Sequence, residues 1–130
     1  HCTATPEGRD YGVERIDRDH RKRGFSMVGY HYVVYRDGSV HRGRGAGACG
    51  AHCVGHNARA VGVCYVGGLD GRTGRAKATR TVAQRRSLVS LVRGLMARYG
   101  LSVEQVRGHY EFARKRCPCF VMEDFRRELL

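Results

Sequence analysis

The apolar positions of this chain change their period several times, and each change marks an element. Val13, Ile16 and His20 fall on one face at helical spacing and Gly24 closes the run, which predicts a helix over residues 13–23. Residues 29–36 (GYHYVVYR) are aromatic and β-branched and predict a strand. Asp37-Gly38 is a hairpin signal, with Val40–Arg44 as the return strand. Residues 60–66 (AVGVCYV) are the most apolar run and predict a buried strand. Leu88, Leu91, Val92, Leu95, Met96 and Tyr99 then recur on one helical face. Thr81 with Gln84 makes a capping box ahead of that helix, and Gly100 stops it. The stripe reads as core packing. Ser102 with Gln105 caps a short turn, residues 106–109 predict a short edge strand ending at His109, and Met122–Leu130 predict a final helix. Residues 1–5 read as the end of a strand, followed by a turn-rich linker (6–12). Loops are expected at 45–57, 67–80 and 112–120. The pattern is α+β: a single domain over residues 1–130, with a central mixed β-sheet flanked by helices.

Composition narrows the partners. A chain of 130 residues fits one domain. Lys plus Arg number 24 against 12 Asp plus Glu, a net charge of +12, and only 3 of the 24 are Lys. Such a balance favours an anionic partner, and a solvated basic surface explains it equally well. Trp is absent and the basic stretch RDHRKRG (18–24) has no stacking aromatics, which argues against nucleic acid. No apolar run approaches the roughly 18 residues of a membrane span. The six cysteines are irregularly spaced and make no CxxC pair, so a reduced state is expected, with a local Cys49–Cys53 bridge as the alternative. Cys2 and Cys64 lie in apolar runs, where a free buried thiol is common.

Three positions combine as metal chemistry: His1 and His109 at predicted strand ends, and Cys117 in the following loop. Two imidazoles and a thiolate leave a tetrahedral zinc one open position, the arrangement of catalytic rather than structural sites. Spacing alone leaves surface histidines and a buried thiol as an alternative. By themselves, Tyr30 reads as a half-buried strand tyrosine and Lys115 as one more solvated charge. His31 is expected on the strand face opposite Tyr30, as a packed histidine rather than a ligand.

The segments HCTAT (1–5), VGYHYVVYRDGSV (28–40), GAHCVGHN (50–57), VGVCYVGG (61–68) and HYEFARKRCPCF (109–120) occur in this order. The set resembles the amidase-2 family of N-acetylmuramoyl-L-alanine amidases, which includes small phage amidase endolysins and peptidoglycan recognition proteins. The resemblance covers essentially the whole chain. It implies one zinc ion per chain, held by His1, His109 and Cys117 with water in the open position. It implies Tyr30 and Lys115 as catalytic residues, and His52 and Asn57 as binders of the peptide. The implied reaction is hydrolysis of the amide joining N-acetylmuramic acid to L-alanine in peptidoglycan. A metal of this kind brings the pKa of a coordinated water to about 7 and polarises a carbonyl. Lys115 would stabilise the developing oxyanion. Tyr30 would orient water, donate to the oxyanion or assist proton transfer.

The resemblance also implies a phage or prophage lysin, or a bacterial wall-remodelling enzyme, acting as a monomer at the cell wall or periplasm. No signal-peptide pattern precedes His1, so synthesis in the cytoplasm is expected. Several features depart from the family pattern. The apolar strand that relatives carry before the first ligand is not in the sequence, which implies a truncated first strand and a poorly anchored His1. Asp19 stands where close relatives carry an aromatic residue. Cys119 places a second thiol near the metal, able to compete as a ligand or to oxidise with Cys117. Arg114 replaces a common proline. Sugar stacking falls to Tyr or Phe. The main alternative is a module of the same fold that binds peptidoglycan, or regulates a phage RNA polymerase, without cleavage. Copper chelation by an N-terminal histidine and a basic nucleic-acid binder are the others.

Overall fold

The computed structural model describes residues 1–45 and 47–130. Its elements in chain order are β1 (Thr5–Pro6), α1 (Val13–Lys22), β2 (Tyr32–Val34), β3 (Val40–Arg42), β4 (Val63–Tyr65), β5 (Gly68–Leu69), α2 (Val82–Tyr99) and α3 (Met122–Glu128). Short 3-10 turns lie at Asn57–Arg59, Val103–Gln105 and His109–Glu111. The expected α+β class with a mixed sheet holds. β2 pairs antiparallel with β3 and parallel with β4, and β1 pairs parallel with β5.

The hairpin forms where Asp37-Gly38 predicts it. Gly38 has φ +87°, a left-handed conformation that glycine adopts without strain. Asp37 Oδ1 accepts the Ser39 N–H at 2.9 Å and fixes the turn.

Residues 1–7 do more than end a strand. They run parallel to residues 63–69 as one ladder: Tyr65 N–H to His1 O, Thr3 N–H to Tyr65 O, Thr5 N–H to Gly67 O and Glu7 N–H to Leu69 O, at 2.8–3.1 Å. The expectation that His1 is poorly anchored is therefore corrected. Its nitrogen donates to Val63 O at 2.7 Å, and its carbonyl accepts from Tyr65 N–H.

Alternation along the strands divides the core into two layers. Val34 and Tyr65 pack with Leu88 and Val92 of α2 and Met122, Phe125 and Leu129 at α3. Val33, Cys64 and Val66 face the other way and pack with Ile16 of α1 and Val28. The helical stripe of α2 is thus core, as its period predicts.

α2 is pinned at its start. Thr81 and Gln84 form the expected capping box, and Thr81 Oγ1 donates to Arg36 O at 2.8 Å. Gln84 is fully buried, and its Nε2 donates to Val66 O at 2.9 Å and Val34 O at 3.3 Å. One side chain completes the capping box and fastens the helix to β2 and to the residue that follows β4.

The edge strand expected at 106–109 does not form. Arg126 Nη1 donates to Val106 O at 2.8 Å, and Glu111 accepts the Gly108 N–H at 2.6 Å. Side chains thus take up backbone groups that a strand would offer to a neighbour, and the chain winds into the 3-10 turn beginning at His109.

Gln84→Met keeps the volume and removes the polar links. It is expected to lower unfolding free energy by about 2 kcal/mol, because the Gln84 half of the capping box is lost and Val66 O is left without its Gln84 donor. Urea unfolding measures this, and a change below about 0.5 kcal/mol would refute the pinning role.

Candidate metal centre

His1, Cys117 and His109 reach one point from different parts of the fold. The ladder against residues 63–69 delivers His1. Tyr110 N–H donates to Cys117 O at 2.9 Å, so the turn carrying His109 and the loop carrying Cys117 are tied together. Tyr65 Oη donates to Pro118 O at 2.6 Å and fastens that loop to β4. Met122 N–H bonds Tyr110 Oη at 2.9 Å and holds the turn against α3.

The result is a compact donor set. One ligand atom from each of His1, His109 and Cys117 lies within 4.8 Å of the others. His1 Nδ1 is 3.6 Å from Cys117 Sγ, and the two imidazole rings have centroids 4.7 Å apart. Two neutral nitrogens and a thiolate suit a transition metal. Among the described residues no carboxylate joins them.

The electrostatics select one thiolate from several neighbouring thiols. Cys117 is held below the ordinary thiol range, chiefly by its neighbour Cys2, whose thiol lies close by and whose backbone N–H is 3.3 Å from the Cys117 sulfur; contact with His109 acts the same way against the effect of burial. Cys2 moves upward for the complementary reason, since its thiol neighbours the Cys117 sulfur and is buried. Burial raises Cys119, and pushes Cys64 up to about 12. Cys119 meets Cys2, with Sγ atoms 3.8 Å apart, and it is not in the donor set with Cys117. All six cysteines are free; Cys49 is exposed and Cys53 buried.

The other candidate residues divide. The Tyr30 ring lies 5.3 Å from that of His1 and 5.4 Å from that of His20, while His20 Nδ1 accepts the Gly29 N–H at 2.9 Å. Burial, reinforced by the nearby thiols, holds the Tyr30 hydroxyl well above its ordinary range, so it stays protonated and can donate. Lys115 is exposed in the loop between His109 and Cys117, and among the described residues its ammonium has no carboxylate within 4.0 Å. His31 is 1% exposed, accepts the Gly62 N–H on Nδ1 and bonds Ala48 O through Nε2, a packed residue as expected. Asn57 Oδ1 accepts the N–H groups of His52 and Cys53, both at 2.9 Å, so its acceptor oxygen shapes its own loop. Asp19, at the departure noted before His20, accepts a hydrogen bond from Tyr11 Oη.

A cleft of about 430 Å³ opens on the donor set, with His1, His52, Arg59, Arg107, His109 and Phe112 among its walls. Among these walls His52, expected to bind the peptide, also meets His1. Its Nδ1 is 2.9 Å from Nε2 of His1, and burial pushes its pKa down to about 4, so it is neutral at pH 7. The sequence signal for this contact was faint: a histidine in a Gly-rich segment, flanked in space by Gly50 and Gly62.

With this geometry, comparisons with known proteins are decisive. The family model for N-acetylmuramoyl-L-alanine amidase matches residues 1–120. The chain belongs to the N-acetylmuramoyl-L-alanine amidase family. It is an enzyme of that class. It is 43% identical over 120 residues to the endolysin of Escherichia phage T7, covering 92% of this chain and 78% of that protein. It is 35% identical over 107 residues to the Homo sapiens N-acetylmuramoyl-L-alanine amidase, covering 82% of this chain and 17% of that one. The solved structure of the amidase LysC from Clostridium intestinale URNW superposes with a TM-score of 0.84 at 31% identity, covering 99% of this chain and 80% of that one. No helix among the described residues is long and apolar enough to cross a membrane.

Because the Cys117 thiol is shifted below its ordinary range while those of Cys2, Cys64 and Cys119 are shifted above theirs, the metal-free amidase is expected to react selectively. Iodoacetamide at about pH 6 should alkylate Cys117 before those three, as read by peptide mapping. Uniform labelling of the four would contradict the thiolate assignment.

Proposed function

We propose that this chain is a peptidoglycan lysin that hydrolyses the amide between N-acetylmuramic acid and L-alanine, with one zinc ion held by His1, His109 and Cys117. The observation that carries the reading is the convergence of these three donors, of which His1 and His109 line the cleft. Their spacing fits the ion. Tetrahedral zinc with bonds of about 2.3 Å to sulfur and about 2.1 Å to nitrogen has an N–S edge of about 3.6 Å. The His1 Nδ1 to Cys117 Sγ distance is 3.6 Å. When bound, zinc supplies Lewis acidity toward the scissile carbonyl and lowers the pKa of a water.

The chain's own groups do the remaining work. The exposed Lys115 ammonium offsets the negative charge that develops on the lactyl carbonyl oxygen. Tyr30, kept protonated by burial, donates a hydrogen bond and does not act as a base. Phe112 is 42% exposed on the cleft wall, with the Arg107 guanidinium 5.1 Å from its ring centre, and offers an apolar face to a sugar. Hydrolysis places the water oxygen on the lactyl carbon and leaves L-alanine with a free amine. The substrate sets the place of action, the bacterial cell wall.

Zinc per chain and release of L-alanine amines from purified peptidoglycan, measured together, test the reading. About one zinc ion and new amines are expected for the wild type, with both lost in Cys117→Ala. A folded wild-type chain with neither zinc nor cleavage would overturn the proposal.

Lys115→Ala and Tyr30→Phe should separate chemistry from metal retention. Each is expected to keep the zinc and to lower kcat by about 100-fold, the effect of removing one donor to a developing oxyanion. Loss of zinc in either variant would make that residue structural instead.

A further inference from the structure

We propose that His52 is a positioning residue for His1: its Nδ1 accepts the His1 Nε2–H, and so leaves Nδ1 of His1 free to bind the metal. The inference rests on the metal reading above. It concerns a contact between two histidines that lie 51 positions apart in the chain.

The geometry separates the two nitrogens of His1. Nδ1 faces Cys117 Sγ at 3.6 Å, inside the donor set, and Nε2 faces His52 Nδ1 at 2.9 Å, outside it. A neutral imidazole carries one proton on one nitrogen. A metal on Nδ1 therefore requires that proton on Nε2, where His52 receives it. The bond fixes both tautomer and ring direction, which is what the outer partner of a metal-bound histidine does.

His52 is built to hold that position. Its backbone N–H is fixed by Asn57 Oδ1 at 2.9 Å. Its ring lies between Gly50 and Gly62, where a Cβ on either glycine would come to 2.5 and 2.6 Å from the ring. The two glycines leave room for the imidazole close to the backbone. Its other nitrogen, Nε2, is buried, and the Ala60 backbone acts on the ring. A side chain serving the substrate would turn that nitrogen to the cleft. Here that nitrogen is buried, and Nδ1 is the one that meets His1.

Three variants test the assignment, with zinc affinity read by chelator competition and site geometry by the absorption spectrum of the cobalt-substituted protein. His52→Ala is expected to weaken zinc binding by about 10- to 100-fold and to alter the cobalt spectrum. His52→Asn, whose Oδ1 takes the place of Nδ1, should recover most of the affinity. His52→Gln, whose acceptor takes the place of Nε2, should not, and it stands in if the alanine variant does not fold. Wild-type zinc affinity in both His52→Ala and His52→Gln would overturn the inference, and weakened binding of a soluble muramyl peptide in the same variants would assign His52 to the substrate. A wild-type chain that binds no zinc would overturn the metal reading itself, and this inference with it.

Discussion

His1 and Cys117 are 116 positions apart, and what brings them together is a hydrogen-bonded ladder. Residues 1–7 lie parallel to residues 63–69, whose other side is already occupied by β2. β4 thus becomes an interior strand, and its register sets where His1 stands. The same ladder delivers the Cys2 N–H to the Cys117 sulfur. A slip of one residue would exchange the faces of His1 and Cys2, placing a thiol in the site and an imidazole in the core. Tyr65 strengthens the register from the other direction, because its hydroxyl holds the Pro118 carbonyl next to Cys117.

The ladder also produces the electrostatic asymmetry of the site. Cys2, Cys117 and Cys119 crowd together at one end of the sheet. Only one of them is favoured as an anion: the backbone N–H of Cys2 reaches the Cys117 sulfur, whereas the thiols of Cys2 and Cys119 are raised. Burial raises a thiol pKa and hydrogen bonds to the sulfur lower it, so closely spaced cysteines can differ by several pH units. The two nitrogens of His1 differ in a parallel way. Each nitrogen of His1 has its own partner, and the identity of that partner decides which nitrogen is available.

Much of this architecture was legible in the chain. The hairpin at Asp37-Gly38, the capping box at Thr81 and the apolar run at 60–66 are local signals, and each element stands where its signal lies. The three donors were legible because five ordered segments resemble one family, whereas spacing alone would have left many histidine and cysteine combinations. What escaped was long-range. Residues 1–7 pair with a segment sixty positions away, and no local pattern announces that. Residues 106–109 have the composition of an edge strand, but Arg126 and Glu111 take up backbone groups there, and both lie outside the segment. His52 looked like a loop residue open to substrate. Its inward direction depends on Gly62, which is distant in sequence.

The net charge of +12 gives the thiolate particular weight. Many acidic side chains pair with basic ones at the surface, as Asp10 does with Arg36, Glu7 with Lys77 and Glu123 with Arg127. Exposed pairs of this kind contribute little stability, and they leave the excess positive charge in place. Arg59 and Arg107 stand on the cleft walls. A divalent cation held by the three donors beside such a cleft would meet a positive field, which among the donors only Cys117 would offset. The ligands are therefore unequal. Replacing a histidine by a neutral residue removes one bond and leaves the charge of the site as it was. Replacing Cys117 removes a bond and also the one negative charge in the donor set, in a half-buried place where water screens poorly. Metal retention should depend most on the sulfur, and the backbone N–H of Cys2 then acts as part of the site although it binds nothing itself.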